Sequence, residues 1–208
     1  MSEKKAQPVV IRGTDKVKRC WWCGDDPQYV RYHDEEWGQP IQDDTRLFEK
    51  ICLEGFQAGL SWLTILRKRQ AFREAFADFE VAKVAKFNSR DVARLLNNAG
   101  IVRHKGKIES TINNAQKAIE MEKECGSLAN FFWDFEPKKT PVIKKLSDCN
   151  AITDESTAMS KALKKKGWSF VGPTTCYAFM QSMGIVNDHV QGCQFRAVAR
   201  DARKEIER

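Results

Sequence analysis

Apolar residues recur at helical spacing along most of the chain. Leu47, Phe48 and Ile51 share one face of a helix that Asp43-Asp44 can cap. Ser61 can cap the next, whose apolar side carries Trp62, Ile65, Leu66, Phe72 and Phe76. Further helical stretches cover residues 89–98, 104–125 and 127–135. Near the C-terminus, AMSKALKKK (Ala158 to Lys166) forms an apolar-basic helix that Gly167 can end, and Gly172-Pro173 opens another that runs to Gly184. Alternating strand patterns are nearly absent, so the pattern predicts an all-α fold. The stretch from Glu136 to Thr153 reads as irregular connection, and the chain has neither internal repeat nor low-complexity segment.

One polar residue interrupts an apolar face. Glu54 follows Ile51 by three residues and Leu47 by seven, so it falls among the buried positions. A carboxylate there is either solvated at a boundary or buried and functional, because an unpaired buried charge is costly. Gly55 and Gly59 remove side-chain bulk beside it, which would let a ligand approach the backbone. With Trp62 just beyond the break at Leu60-Ser61, these residues suggest a pocket wall. A second concentration lies at CWWCGDDPQYVRYHDEEWG (Cys20 to Gly38), which holds three of the six tryptophans and two of the three tyrosines. So dense a cluster in a turn-rich segment is either an aromatic minicore or a box that stacks a flat or cationic ring.

Composition narrows the setting. The 208 residues suit one domain, or two lobes that share a core. The net charge of +7 fits a polyanionic partner. No apolar run approaches the roughly 18 residues of a membrane span, and no signal peptide is visible. The seven cysteines are an odd number at irregular spacing, which argues for a reducing cytoplasm rather than a disulfide framework. Residues 1–16 are polar and charged and read as a disordered extension, residues 17–195 as a single domain of two helical lobes, and residues 196–208 as a charged tail.

The run GWSFVGPTTCYA (Gly167 to Ala178) places a glycine turn between two helices. Backbone N–H groups there can approach an anion, and the second helix's N-terminus favours negative charge. Lys164, Lys165 and Lys166 cluster beside Gly172 and Thr174, a charge pattern suited to gripping a DNA phosphate. With VNDHVQGC (Val186 to Cys193) following one helix later, the region resembles the helix–hairpin–helix superfamily of DNA base-excision glycosylases. Two positions depart from that pattern. The lysine that serves bifunctional members as a nucleophile falls on Thr174, and the aspartate credited with catalysis falls on Asn187. The resemblance therefore implies a monofunctional enzyme whose carboxylate lies elsewhere.

Taken in order, CWWCGDDPQYVRYHDEEWG, ICLEGFQAGLSWLTIL, AGIVRHKGKI and FVGPTTCYAFMQSMGIVNDHVQGC closely resemble the 3-methyladenine DNA glycosylase I family, over roughly Arg19 to Cys193. By that resemblance Glu54 is the carboxylate that contacts the methylated base. Tyr32, Trp62, Trp22 and Trp37 carry the aromatic pocket, with Tyr29 a further candidate. The resemblance also implies one structural zinc ion per chain, clipping the N-terminal segment to the C-terminal one through Cys20, His33, His189 and Cys193. Two cysteines and two histidines are a donor set for a closed tetrahedral site, and two of the chain's three histidines fall here. Cys23 forms a CxxC with Cys20 and is a competing ligand. The implied activity is hydrolysis of the N-glycosidic bond of 3-methyladenine in alkylated double-stranded DNA by a monomer, without a membrane. Two alternatives stay open: a non-catalytic DNA-binding module, which leaves Glu54 and the tryptophans without a task, and a free-purine binding protein, which leaves the hairpin without one.

Overall fold

The computed structural model describes residues 8–206. It is mostly helical, with ten α-helices and one two-stranded sheet among those residues. The chain forms two compact units that are discontinuous in sequence: Met1–Pro40 with Pro137–Ala151 and Gln181–Arg208, and Ile41–Glu136 with Ile152–Met180. Among the described residues, no helix is long and apolar enough to cross a membrane.

In the first unit, β1 (Val10–Arg12) pairs antiparallel with β2 (Lys18–Cys20), with Val10 opposite Cys20. Arg19 on β2 is buried because its guanidinium spans the carboxylates of Asp15 and Asp34, 2.6 Å from each. Helix α1 (Pro27–Glu35) follows, and its start is written in Asp26-Pro27. The Asp26 carboxylate accepts from the amides of Gln28 and Tyr29, and proline fixes φ at the first helical position. The C-terminal part joins through Gln194, which bonds the Lys18 carbonyl and amide, and ends in α10 (Phe195–Ala202). Gly184 is required where it stands: its φ is +70°, and a Cβ would meet the Gln39-Pro40 backbone at 2.6 Å.

Four expectations are corrected here. The fold is mostly rather than wholly helical, because three-residue strands are too short to register as alternation. Residues 1–7 of the expected extension lie outside the described residues, but residues 10–12 form a strand. Part of the presumed tail is α10, and the aromatic block holds a helix, because Asp26-Pro27 is a cap rather than a turn.

The second unit is built around α2 (Asp44–Gln57), buried from Leu47 to Phe56 and capped by the Asp43 carboxylate. Helices α3 (Trp62–Ala75), α4 (Val81–Val84), α5 (Ser89–Leu96), α6 (Lys105–Cys125) and α7 (Leu128–Trp133) follow. The core is aromatic, with Phe56, Phe72, Phe76 and Phe79 fully buried and each ring in contact with the next. The Asp44 carboxylate reaches across the unit to accept from the Leu128 and Ala129 amides, so the start of α2 also caps α7. Helix α8 (Asp154–Lys165) begins four residues earlier than its apolar pattern suggested, where Thr153 and Ser156 form a capping box. Residues 136–153 are irregular apart from one short 3-10 turn, as expected. Pro173 then opens α9 (Pro173–Ser182).

Candidate active site and metal centre

Glu54 lies in the last turn of α2 and is only 5% exposed. Its charge is matched from its own helix. Lys50, one turn earlier and also buried, places Nζ 2.9 Å from Oε1. The same ammonium sits 3.1 Å from the centroid of the Trp62 ring. Trp62 is in position because the Ser61 hydroxyl accepts from the Thr64 amide and starts α3 at that residue. Burial raises the Glu54 pKa above its ordinary value, and Lys50 opposes the rise.

A second lysine shapes the turn that follows. Lys107 in the first turn of α6 donates to the carbonyls of Phe56 and Ala58, at 2.8 and 2.6 Å, where α2 runs out of internal partners. The glycines divide. Gly59 adopts φ +82° with open space around it, whereas Gly55 accommodates Phe170, whose Cβ and carbonyl oxygen lie 3.4 Å from where its Cβ would be. Gly55 therefore makes room for the chain itself rather than for a ligand.

The aromatic block is one connected cluster. Trp22 meets Tyr29 at 5.1 Å, Trp37 at 4.8 Å and His33 at 5.1 Å between ring centroids, and Tyr29 stacks with Tyr32. Tyr32 and Trp37 are buried, while Trp22 and Tyr29 are half-buried. Trp37 faces His189: its ring meets the imidazole edge-on at 4.8 Å, and its carbonyl lies 3.1 Å from His189 Nε2.

Cys20, His33, His189 and Cys193 are all buried, with one donor atom of each within 4.8 Å of the others. Cys20 Sγ lies 3.6 Å from His189 Nδ1, and Cys193 Sγ lies 3.5 Å from the same nitrogen and 3.6 Å from His33 Nε2. A tetrahedral ion with ordinary zinc–sulfur and zinc–nitrogen bonds sets sulfur–nitrogen edges of about 3.6 Å, so the donors fit a metal ion. The second nitrogen of each ring is also held, His33 Nδ1 by Asp34 at 2.8 Å and His189 Nε2 by the Trp37 carbonyl. Cys193 is driven toward the thiolate, first by its bond with the Cys20 thiol and then by the two histidines. Cys23 is turned away, its thiol donating to the Cys20 carbonyl at 3.1 Å, and does not join the group.

Between α8 and α9 the chain turns at Gly167, with φ +83°. Ser169 is tied to α6 through Ser110 and Asn114, and Ser160 donates to the Val171 carbonyl. A Cβ on Gly172 would meet nothing within 4 Å, and Thr174 is exposed in the first turn of α9. Lys164 and Lys165 are exposed. Lys166, by contrast, is ion-paired with Glu124 of α6.

The family model for methyladenine glycosylases matches residues 22–197. The chain belongs to the methyladenine glycosylase family. Membership makes it an enzyme, a hydrolase of N-glycosyl bonds. DNA-3-methyladenine glycosylase of Haemophilus influenzae is 49% identical over 179 residues, covering 84% of this chain and 96% of that protein. DNA-3-methyladenine glycosylase 1 of Escherichia coli strain K12 is 49% identical over 180 residues, covering 85% and 96%. Among solved structures, a variant of 3-methyladenine DNA glycosylase I in complex with 3-methyladenine aligns with a TM-score of 0.82 at 38% identity, over 86% of this chain and 97% of that one.

In this methyladenine glycosylase the structure brings the expected donors Cys20, His33, His189 and Cys193 together, and sets Glu54 near Trp62 through Lys50. Sequence reasoning missed three contributors. Asp34 was signalled only by following His33, and Lys50 only by preceding Glu54 by one helical turn. Phe195, whose ring packs on both His33 and His189, had no signal beyond its place two residues after Cys193. The Asn187 amide donates to the Arg196 carbonyl at 3.0 Å, while its Oδ1 is buried without a hydrogen-bond partner among the described residues.

Proposed function

We propose that this protein is a monofunctional DNA glycosylase that removes 3-methyladenine from alkylated double-stranded DNA. The observation that carries this reading is a buried carboxylate, Glu54, sharing a lysine with the face of Trp62 in a chain of this family. The lesion must leave the helical stack to be reached, at a cost of a few kcal/mol that is smallest for damaged bases. Methylation at N3 places positive charge on the purine and makes it a good leaving group. The site then needs to recognise a cation and admit water rather than supply a strong acid or a covalent nucleophile. Glu54 complements the charge, and the Trp62 ring supplies aromatic surface for the base, a well-placed ring contributing roughly 0.5–2 kcal/mol. Thr174 and Asn187, standing where related enzymes carry lysine and aspartate, accord with simple hydrolysis.

DNA is held, on this reading, by a helix–hairpin–helix formed from α8, the 166–172 turn and α9. The amides at the start of α9 and the exposed Lys164 and Lys165 would receive phosphate. Zinc is the metal that a closed set of two thiolates and two imidazoles suits best. With four protein ligands it leaves no position for water, so it would secure the fold. Cys20, His33, His189 and Cys193 would hold it, and no catalytic step passes through it.

The test is release of free base from methylated duplex DNA, with 3-methyladenine and 7-methylguanine quantified separately. Release of 3-methyladenine that depends on Glu54 supports the proposal. A folded, DNA-binding protein that releases neither base contradicts it.

A further inference from the structure

Lys50 makes two interactions at once. Its ammonium lies 2.9 Å from the Glu54 carboxylate and 3.1 Å from the centroid of the Trp62 ring, with its side chain 7% exposed. These are the two contacts that a positively charged purine would make on entering the same site: charge against the carboxylate, and a cationic face against the indole. Both contacts are desolvated, where neither is cheap to break without replacement.

We propose that Lys50 is a specificity-determining residue, a resident cation that fills the base site in the free enzyme and that only a cationic base displaces. This rests on the reading above that Glu54 and Trp62 receive the base. The selection follows from exchange. A methylated, positively charged ring replaces both of the contacts that the ammonium gives up, so cation is traded for cation. A neutral adenine replaces neither charge interaction. It would leave Glu54 buried without a counter-charge, so Lys50 holds its place against it. Discrimination then comes from a penalty on the wrong base as well as from attraction to the right one. Four methylenes separate the ammonium from the α2 backbone, so it can swing out by changes of rotamer.

The experiment uses two probes of one shape: 3,9-dimethyladeninium, a permanent cation, and neutral 9-methyladenine. In wild-type protein carrying ¹³C-labelled lysine, the Lys50 ε-methylene signal should be shifted upfield by the Trp62 ring. Saturating 3,9-dimethyladeninium should return it to the ordinary lysine position, and 9-methyladenine at the same concentration should leave it unmoved. In Lys50→Met the ratio of the two affinities should fall about tenfold, mainly because 9-methyladenine binds more tightly. Lys50→Arg, which keeps the cation, should retain most of the ratio. A Lys50 signal that stays upfield in the saturated cation complex would overturn the proposal, and that arm needs no variant to fold. So would an unchanged affinity ratio in a folded Lys50→Met protein. Glu54→Gln and Trp62→Ala separate this failure from failure of the underlying reading. If both bind the cation as wild type does, the base site itself is misassigned. If both lose it while Lys50 stays upfield, the site stands and only the displacement is wrong.

Discussion

Two buried polar clusters in this molecule have the same ingredients of charge and aromatic rings but opposite construction. Around Cys20, His33, His189 and Cys193 every free valence is committed: His33 to Asp34, His189 to the Trp37 carbonyl, and the ring faces to Trp37 and Phe195. Around Glu54 the counter-charge is Lys50 of the same helix, resting on the Trp62 ring face. A cluster with every partner fixed resists change and suits a structural clip. A cluster neutralised by one movable side chain can exchange that partner for a ligand. The difference teaches that burial of charge alone does not mark an active site. What matters is whether the compensating group can leave.

The comparison breaks most readily at Glu54. Glu54→Gln should lower excision by about a hundredfold or more, the scale of losing a positioned carboxylate, while circular dichroism and DNA binding stay near wild type. If Glu54→Gln turns over at the wild-type rate, the cluster has no chemical role.

At the other cluster, His189→Ala should release the metal and lower the melting temperature, because the clip joins residues more than 150 positions apart in sequence. Any lost activity should follow the lost folded fraction, measured by elemental analysis alongside rates normalised to folded protein. A stably folded His189→Ala protein that loses metal and turnover together would make that centre catalytic. Asp34→Ala, which frees His33 Nδ1, should weaken metal affinity by about 10- to 100-fold.

The sequence made one of these clusters more legible than the other. The four candidate donors were legible through the family resemblance, with two of the chain's three histidines among them. Glu54 was visible as a carboxylate on an apolar face, and Ser61 correctly marked the start of α3. Lys50 was not, because a lysine one turn before a glutamate is an ordinary surface pair, and only the packing of Trp62 makes it a buried one. Helix α1 was obscured by its own cap, since Asp and Pro favour turns as well as helix starts. The partnership of Lys166 with Glu124 joins residues 42 apart in sequence, and no local pattern announces it.

That pairing sharpens the expected DNA contacts. Lys164→Ala and Lys165→Ala should each reduce the slope of log affinity against log salt by about 0.9, the contribution of one phosphate contact on B-DNA. Lys166→Ala should change it less, because Glu124 already neutralises that ammonium. Equal losses at all three positions would mean that DNA displaces Glu124.

The smallest expected effect concerns pH. Burial raises the Glu54 pKa above 4.5, and Lys50 pulls it back. A carboxyl with a raised folded pKa contributes stability that is present below its unfolded pKa and is lost as pH rises through the folded one. Excision runs the other way, falling as the pH drops through the folded pKa and the carboxylate is protonated. In Lys50→Met the opposing charge is gone, so the acid limb of the pH–rate profile should move to higher pH. A limb that stays in place would mean that Lys50 does not govern Glu54 ionisation.

The central claim is that Glu54 serves excision of a positively charged methylated adenine, and the most direct measurement is base release from alkylated duplex DNA by wild-type and Glu54→Gln proteins side by side. The account predicts free 3-methyladenine from the wild type, little or no 7-methylguanine, and near loss of release in the folded variant. Equal release by the two proteins, or 7-methylguanine released as readily as 3-methyladenine, would contradict it.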